Sequence, residues 1–356
     1  MSFELTSLVG AAAEYDTVID VRSPSEFSED HVPGAINLPV LSDEERARVG
    51  TIYVQDSPFL ARKIGAALVA RNAAAHIEGP LSGHEGGWRP LVYCWRGGQR
   101  SGSFTSILTQ IGWRAETLTG GYQSYRRLVV EKLYKSPFPT EVILLDGNTG
   151  TAKTELLGLL KARGQQVIDL EGLANHRGSA LGGMGAQPSQ KGFESALAAE
   201  VACLDPTRPV VIEAESSKVG ALNVPPRVFE AMKVAQRMHV AAPVTTRAGY
   251  LVKAYRDALE NPLDMAVRLD QLVRLQGRER VARWKAMAVA QEFQALAEEL
   301  IQDHYDPRYR KVRDKRGRAP AFRVETERLD AQSLDRVADS LMHAITSQSG
   351  KPNGGR

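Results

Sequence analysis

"LVYCWRGGQRSGS", residues 91–103, is the stretch on which the fold turns. An apolar run stops at Cys94, and two glycines and two arginines follow before a stretch that reads as a helix from Gln99. Strand, tight turn and helix make the βα unit of a parallel sheet, and such sheets gather ligands at the carboxyl ends of their strands. Cys94 stands at such an end. Gly97 and Gly98 let the backbone reach positive φ and turn its N–H groups inward. Those amides, the positive helix N-terminus and the guanidinium groups of Arg96 and Arg100 favour a thiolate over a thiol. The competing reading is a buried structural cysteine. It suits Cys203, whose "ESALAAEVACLD" is a helix pattern without basic neighbours and is read as core packing.

Outward from this loop the same unit repeats. "YDTVIDVR" (15–22), "GAINLP" (34–39) and "AETLTG" (115–120) read as strands, and "PFLARKIGAALVARNAAA" (58–75) has the apolar spacing of an amphipathic helix. "KSPFPTE" (135–141) reads as a linker. The alternation resumes with "VILLDG" (142–147), "QVIDL" (166–170), "PVVIEAE" (209–215) and "RMHVAAP" (237–243), separated by helices near 153–163 and 190–203. After about 245 the pattern turns helical, with no strand candidate in 276–302. The expectation is an α/β domain over 1–134, a linker over 135–141, a second α/β domain with a helical, basic C-terminal part over 142–347, and a disordered tail over 348–356.

Composition narrows the class. The chain has 356 residues, 43% of them hydrophobic and 24% charged, enough for two domains with their own cores. No apolar segment approaches the roughly 20 residues that span a bilayer. The N-terminus lacks a basic n-region, and two cysteines make neither a disulfide framework nor a cysteine-based metal site. A reducing cytoplasm, without membrane attachment, is the expected compartment.

"VILLDGNTGTAKTELLGLL" (142–160) is a strand, a glycine-bearing turn and a helix, the context that gives a G-x-x-x-x-G-K-[ST] match its meaning. Gly147, Asn148, Thr149, Gly150, Thr151, Ala152, Lys153 and Thr154 form a candidate phosphate loop. Ala152 replaces the second glycine, and its methyl group is expected to narrow the loop or shift φ. Thr154 is a candidate Mg²⁺ ligand, Glu213 and Glu215 are candidates for metal or water positioning, and Arg247 is a candidate phosphate contact. "HRGSALGGMG" (176–185) reads as a loop closing over substrate, with His176 and Arg177 as its polar contacts, or as plain surface. The run 308–318 holds Arg308, Arg310, Lys311, Arg313, Lys315, Arg316 and Arg318, seven basic residues in eleven, with Tyr305 and Tyr309 beside them. Clustered cations attract phosphodiesters and aromatic rings stack on unpaired bases, so this loop is a candidate RNA contact. A merely solvated charged loop is the alternative. Arg274, Arg278, Arg280 and Arg283 could extend the footprint.

"VIDVRSPSEFSEDHVPGAINLP" (18–39), "YCWRGGQRS" (93–101) and "LTGGYQSYR" (118–126) resemble the three signatures of a rhodanese domain. The resemblance implies that Cys94 is the sulfur- or selenium-bearing nucleophile, that Trp95, Arg96, Gly97, Gly98, Gln99 and Arg100 form its loop, and that Asp20 and Arg22 brace it. Rhodanese half, then P-loop half, with "LSDEERARVGTIY", "DLEGLANHRGSALGGMG", "EAESSKVG" and "HYDPRY", resembles the tRNA 2-selenouridine synthase family along nearly the whole chain. That family is understood to exchange sulfur for selenium at the 2-position of wobble 2-thiouridine. Selenophosphate and geranyl diphosphate are then implied as co-substrates, with an S-geranyl intermediate. The implied partners are a tRNA anticodon stem-loop and a selenophosphate-producing enzyme. Two rivals remain open: a rhodanese sulfurtransferase fused to an ATP- or GTP-dependent kinase, and a non-catalytic RNA-binding protein on a vestigial P-loop.

Overall fold

Buried parallel strands read as short apolar runs, and the first sheet is built from such runs. The computed structural model describes residues 2–3, 7, 14–178, 185–214, 216–259, 262–316 and 319–349. The chain divides into two units, Met1–Pro137 with Pro188–Cys203, and Phe138–Gln187 with Leu204–Arg356. The first holds β1 (Ser2–Phe3), β2 (Thr17–Asp20), β3 (Ile36–Asn37), β4 (Pro90–Tyr93) and β5 (Glu116–Leu118), parallel throughout in the order β1-β5-β4-β2-β3. Every residue of β4 is buried, and Cys94 follows its last residue. The next helix, Gln99–Ile111, buries Ser101, Phe104, Thr105 and Leu108, the i, i+3, i+4, i+7 stripe that packs a helix onto a sheet. Gly112 ends it in the left-handed conformation, φ 109°.

The helix Gln190–Ala202 lies in sequence between two strands of the second half, yet it packs within the first unit. Ser195 Oγ donates to Asp30 Oδ2 at 2.9 Å, Tyr134 donates to Glu194 Oε1 at 2.6 Å, and Arg126 pairs with Glu194. Tyr122 also donates to Asp30 Oδ2, at 2.6 Å. Cys203 follows the helix's last buried turn and is exposed, which corrects its reading as core packing.

The second unit holds β6 (Val142–Gly147), β7 (Gln166–Ile168), β8 (Val210–Glu213), the antiparallel pair β9 (Lys218–Val219) and β10 (Leu222–Asn223), then β11 (Gln236–Ala241) and β12 (Phe322–Glu325). Its main sheet runs β12-β11-β6-β8-β7, all parallel. Strand β6 is flanked by β8 and β11, so successive connections leave it in opposite directions and open a crevice at its carboxyl end. The helix Ala331–Ser349 sets Leu334, Val337, Ala338, Leu341, Ala344 and Ile345 into the core of this unit. β12 corrects the expectation of a wholly helical C-terminal part. It is a four-residue edge strand, half-exposed on alternate residues, and carries almost no apolar signal. The long amphipathic run breaks at Gln291, φ 59°, into Arg278–Val289 and Phe293–Glu299, and the latter continues as a π-helical turn, Leu300–Tyr305. The expected disordered tail falls largely on 350–356, outside the described residues, and the last helix runs through Ser349. Among the described residues no helix is long and apolar enough to cross a membrane.

Candidate functional site

Each unit carries one constellation at the carboxyl end of its sheet. In the first, Gly97 adopts φ 67°, while Gly98, expected to do the same, sits at φ −98° and caps the helix Gln99–Ile111. A Cβ on Gly97 would stand 2.7 Å from the Leu118 carbonyl, and one on Gly121 would stand 2.3 Å from the Cys94 carbonyl. These two glycines let "LTGGY" close against the cysteine loop. Tyr122 N then donates to Cys94 O at 2.9 Å and Gln123 N to Trp95 O at 3.1 Å.

Cys94 is buried, and its Sγ accepts from Gly98 N at 3.3 Å and from Ser101 Oγ at 3.2 Å. Burial alone pushes the thiol pKa up. The Ser101 hydroxyl and amide, the charge of Arg100 and the Gly98 amide outweigh it and hold the thiol below its ordinary value. Arg100 is itself oriented by Glu26, at 2.8 Å. Arg96, by contrast, is exposed. Ser101 joins the site with little trace in the sequence, only a hydroxyl seven positions after the cysteine. Ser101→Ala should therefore shift the pH midpoint of Cys94 alkylation by iodoacetamide upward and slow the reaction at neutral pH. The fold should lose no more than one hydrogen bond, about 1 kcal/mol. An unmoved midpoint would show that Ser101 does not tune the thiol.

Asp20 and Arg22 brace the loop from the sheet side. They are 0% and 1% exposed; Arg22 Nη2 donates to Asp20 Oδ2 and to Asp30 O, both at 2.6 Å. Its guanidinium carbon lies 4.1 Å from the Tyr122 ring centre and 5.9 Å from that of Trp95.

In the second unit the loop after β6 borders a cavity of about 450 Å³, lined by Thr149–Thr154 and by Asp169, Glu171, Arg177, Tyr250 and Tyr309 among others. Ala152 adopts a left-handed backbone, φ 57°, ψ 32°, which costs an L-residue about 1–2 kcal/mol. Its side chain belongs to the buried cluster that holds Leu156 and Leu157, and the residue also lines the cavity. Lys153 Nζ donates to Gly147 O at 3.1 Å. The Thr154 hydroxyl lies 3.2 Å from both Glu171 Oε2 and Glu213 Oε1. One hydroxyl and two carboxylates are oxygen ligands of the kind Mg²⁺ takes, with phosphate oxygens and water completing its shell. No group of three or more His, Cys, Asp or Glu side chains set to hold a metal occurs among the described residues. Glu215 lies outside them.

Several expected contacts lie elsewhere. Arg247 is buried, and its guanidinium is already engaged by protein: Nη1 and Nη2 donate to Asp306 at 2.9 and 2.8 Å, Nη1 to Thr149 O at 3.2 Å and Nε to Ala242 O at 3.1 Å. Its side chain thus ties the phosphate loop, through the Thr149 carbonyl, to Asp306, and it is absent from the cavity lining. Asp306, overlooked in the sequence, also accepts from Asn148 Nδ2 at 2.8 Å. Arg177 lines the cavity with its guanidinium over the Tyr255 ring, 4.6 Å from its centre, whereas His176 is absent from the lining. Most of the expected closing loop, 179–184, falls outside the described residues.

The basic stretch is a helix, Asp306–Arg316, rather than a loop. Arg308, Arg310 and Lys311 are exposed on it. The side chains of Arg313, Lys315 and Arg316, and all of Arg318, lie outside the described residues. Tyr305 is buried in the helical core, and Tyr309 lines the phosphate cavity with its hydroxyl 3.5 Å from Thr149 Oγ1. Packing has claimed the Tyr305 ring, which is not an open stacking platform, whereas the half-buried Tyr309 faces the cavity. Arg283 pairs with Glu299 at 2.5 Å, and Arg280 lies 3.7 Å from Asp303.

The family model described as the tRNA 2-selenouridine synthase AAA domain matches residues 140–272, and the rhodanese-like domain model matches 4–128. A tRNA 2-selenouridine synthase of Nitrosomonas europaea is 34% identical over 261 residues, covering 72% of this chain and 67% of that relative. The Bdellovibrio bacteriovorus enzyme of that name is 33% identical over 288 residues, 77% of this chain and 74% of its own. That of Hydrogenovibrio crunogenus is 38% identical over 247 residues, 67% of each chain. With both domain models matched in order and relatives covered over two thirds of their length or more, the chain belongs to the tRNA 2-selenouridine synthase family.

Proposed function

We propose that this protein is a tRNA-modifying transferase that replaces sulfur by selenium at the 2-position of wobble 2-thiouridine through an S-geranyl intermediate. The observation that carries the reading is the presence in one chain of a hydrogen-bonded, pKa-lowered Cys94 and a phosphate-loop cavity. In the first step the nucleobase sulfur attacks C1 of geranyl diphosphate. The C–O bond breaks, diphosphate departs with the electron pair, and the base loses its N3 proton. Loop amides and the Lys153 ammonium neutralise the charge that grows on the leaving group. Mg²⁺ held by Thr154, Glu171 and Glu213 would add positive charge to the diphosphate oxygens. In the second step the selenium of selenophosphate bonds to C2 and the geranyl thiolate leaves with the C–S electron pair; water then takes the phosphoryl group, the P–Se bond breaks to release phosphate, and N3 regains its proton. Alkylation turns the sulfur into a better leaving group, and selenium arrives at the selenide level, so the exchange needs no oxidant. The amide, hydroxyl and Arg100 setting that favours an anionic sulfur at Cys94 suits an anionic selenium equally, which supports a role for Cys94 in this step. An enzyme making selenophosphate is the partner the chemistry requires.

Incubation with thiolated tRNA and geranyl diphosphate, followed by mass analysis of digested nucleosides, should show the gain of one geranyl group. No gain, with turnover of ATP instead, would overturn the reading in favour of a kinase.

The exposed Arg308, Arg310 and Lys311 offer three phosphate contacts. Reversing all three to glutamate should weaken tRNA binding and lower the slope of log K against log salt by about 0.7–0.9 for each phosphate that the protein then leaves unneutralised. Titrations at several salt concentrations measure this, and an unchanged slope would leave the helix merely solvated.

A further inference from the structure

A second cavity adjoins the phosphate site. Its volume is about 60 Å³, and it shares Thr149, Leu251 and Tyr255 with the larger one. Beyond these it is walled by Leu259, Met265, Phe293, Leu296 and Ala297, among others, and the wall is almost wholly hydrocarbon. It lies where two apolar clusters meet, one containing Met265 and Leu296, the other Ala297 and Leu251.

We infer that this slot is the hydrocarbon subsite of the diphosphate donor, that it takes the terminal isoprene unit of the chain, and that the small side chain of Ala297 sets the length it accepts. The inference rests on the diphosphate reading of the phosphate loop. A nucleobase and ribose need directional donors and acceptors. Among the described lining residues the polar groups are the hydroxyls of Thr149, Tyr255 and Tyr305. Unfilled apolar space costs stability in a packed core, so such a slot beside an anion site points to a ligand with an anionic head and a hydrocarbon tail. Room for roughly four to six waters is also room for about five carbons, one isoprene unit. The other unit of a geranyl chain then lies in the shared mouth at Leu251 and Tyr255, next to the diphosphate.

Equilibrium binding to the full chain with inorganic pyrophosphate, dimethylallyl diphosphate and geranyl diphosphate tests this. The wild type should prefer geranyl diphosphate to pyrophosphate by at least about tenfold, through burial of the chain. Ala297→Leu fills the slot and should bring that preference to within about twofold, with dimethylallyl diphosphate now bound as well as geranyl diphosphate. Its melting temperature should equal or exceed that of the wild type, because it fills a void. Val252→Phe, from another wall of the slot, should act in the same direction and serves if Ala297→Leu does not fold. A folded variant of either kind that keeps the full geranyl preference would overturn the slot. So would a wild type that binds pyrophosphate and geranyl diphosphate alike, although the diphosphate site would then stand. A wild type that binds no diphosphate at all would remove the underlying reading together with the slot.

Discussion

Replacing Cys94 by alanine is expected to abolish selenium incorporation, to at least about a thousandfold below wild type, while geranylated nucleoside accumulates. The cause is local to the loop. Sγ is held by the Gly98 amide and the Ser101 hydroxyl, and the net of burial, hydrogen bonds and the Arg100 charge favours its anion. Alanine removes that anion and leaves the loop. Cys94→Ser separates chemistry from packing, since it keeps a similar side chain whose hydroxyl stays protonated at neutral pH, and it should be as inactive. Because Cys94 packs among Val92, Phe104 and Leu108, a thermal melt of each variant tests that the fold survives. Nucleoside mass analysis reads the activity, and full incorporation by either variant would take Cys94 out of the mechanism.

Lys153→Ala is expected to cut geranylation by about 10²–10³-fold, the usual loss when one preorganised donor to a developing negative charge is removed. Lys153 opens the helix that follows the loop and reaches back to the Gly147 carbonyl, so its charge sits over the loop itself. The loss should appear in diphosphate affinity as well as rate. Selenation of tRNA already carrying a geranyl group should survive, because that step releases no diphosphate. Isothermal titration with pyrophosphate and single-turnover assays on the two tRNA forms distinguish these effects. Geranylation at the wild-type rate would detach the phosphate loop from the chemistry.

The α/β character of both halves was legible because buried parallel strands appear as short apolar runs, and both loops were legible because glycine, lysine and cysteine at strand ends have few other uses. What was hidden depends on contacts distant in sequence. Nothing local in 190–202 says that its apolar face belongs with the first unit, since Phe193 and Leu197 would suit any core. Arg247 reads as a phosphate contact, and nothing local says that Asp306, 59 positions later, pairs with its guanidinium. Tyr305 and Tyr309 beside a basic run read as stacking rings, and here packing took Tyr305 while Tyr309 lines the cavity. Ser101 lay in the opening stretch, but only the helix Gln99–Ile111 aims its hydroxyl at sulfur. Ala152 breaks the phosphate-loop pattern, and only the fold shows that its surroundings hold it in the left-handed conformation that glycine adopts more readily.

If the diphosphate site prepares the nucleobase sulfur for departure before selenium arrives, the order in which products form is fixed. Thiolated tRNA, selenophosphate and the protein, incubated with and without geranyl diphosphate and then digested for nucleoside mass analysis, reveal that order. 2-Selenouridine is predicted only when the prenyl donor is present, with the S-geranyl nucleoside appearing first and then decaying. Selenouridine formed at the same rate without geranyl diphosphate would contradict the proposed sequence of steps.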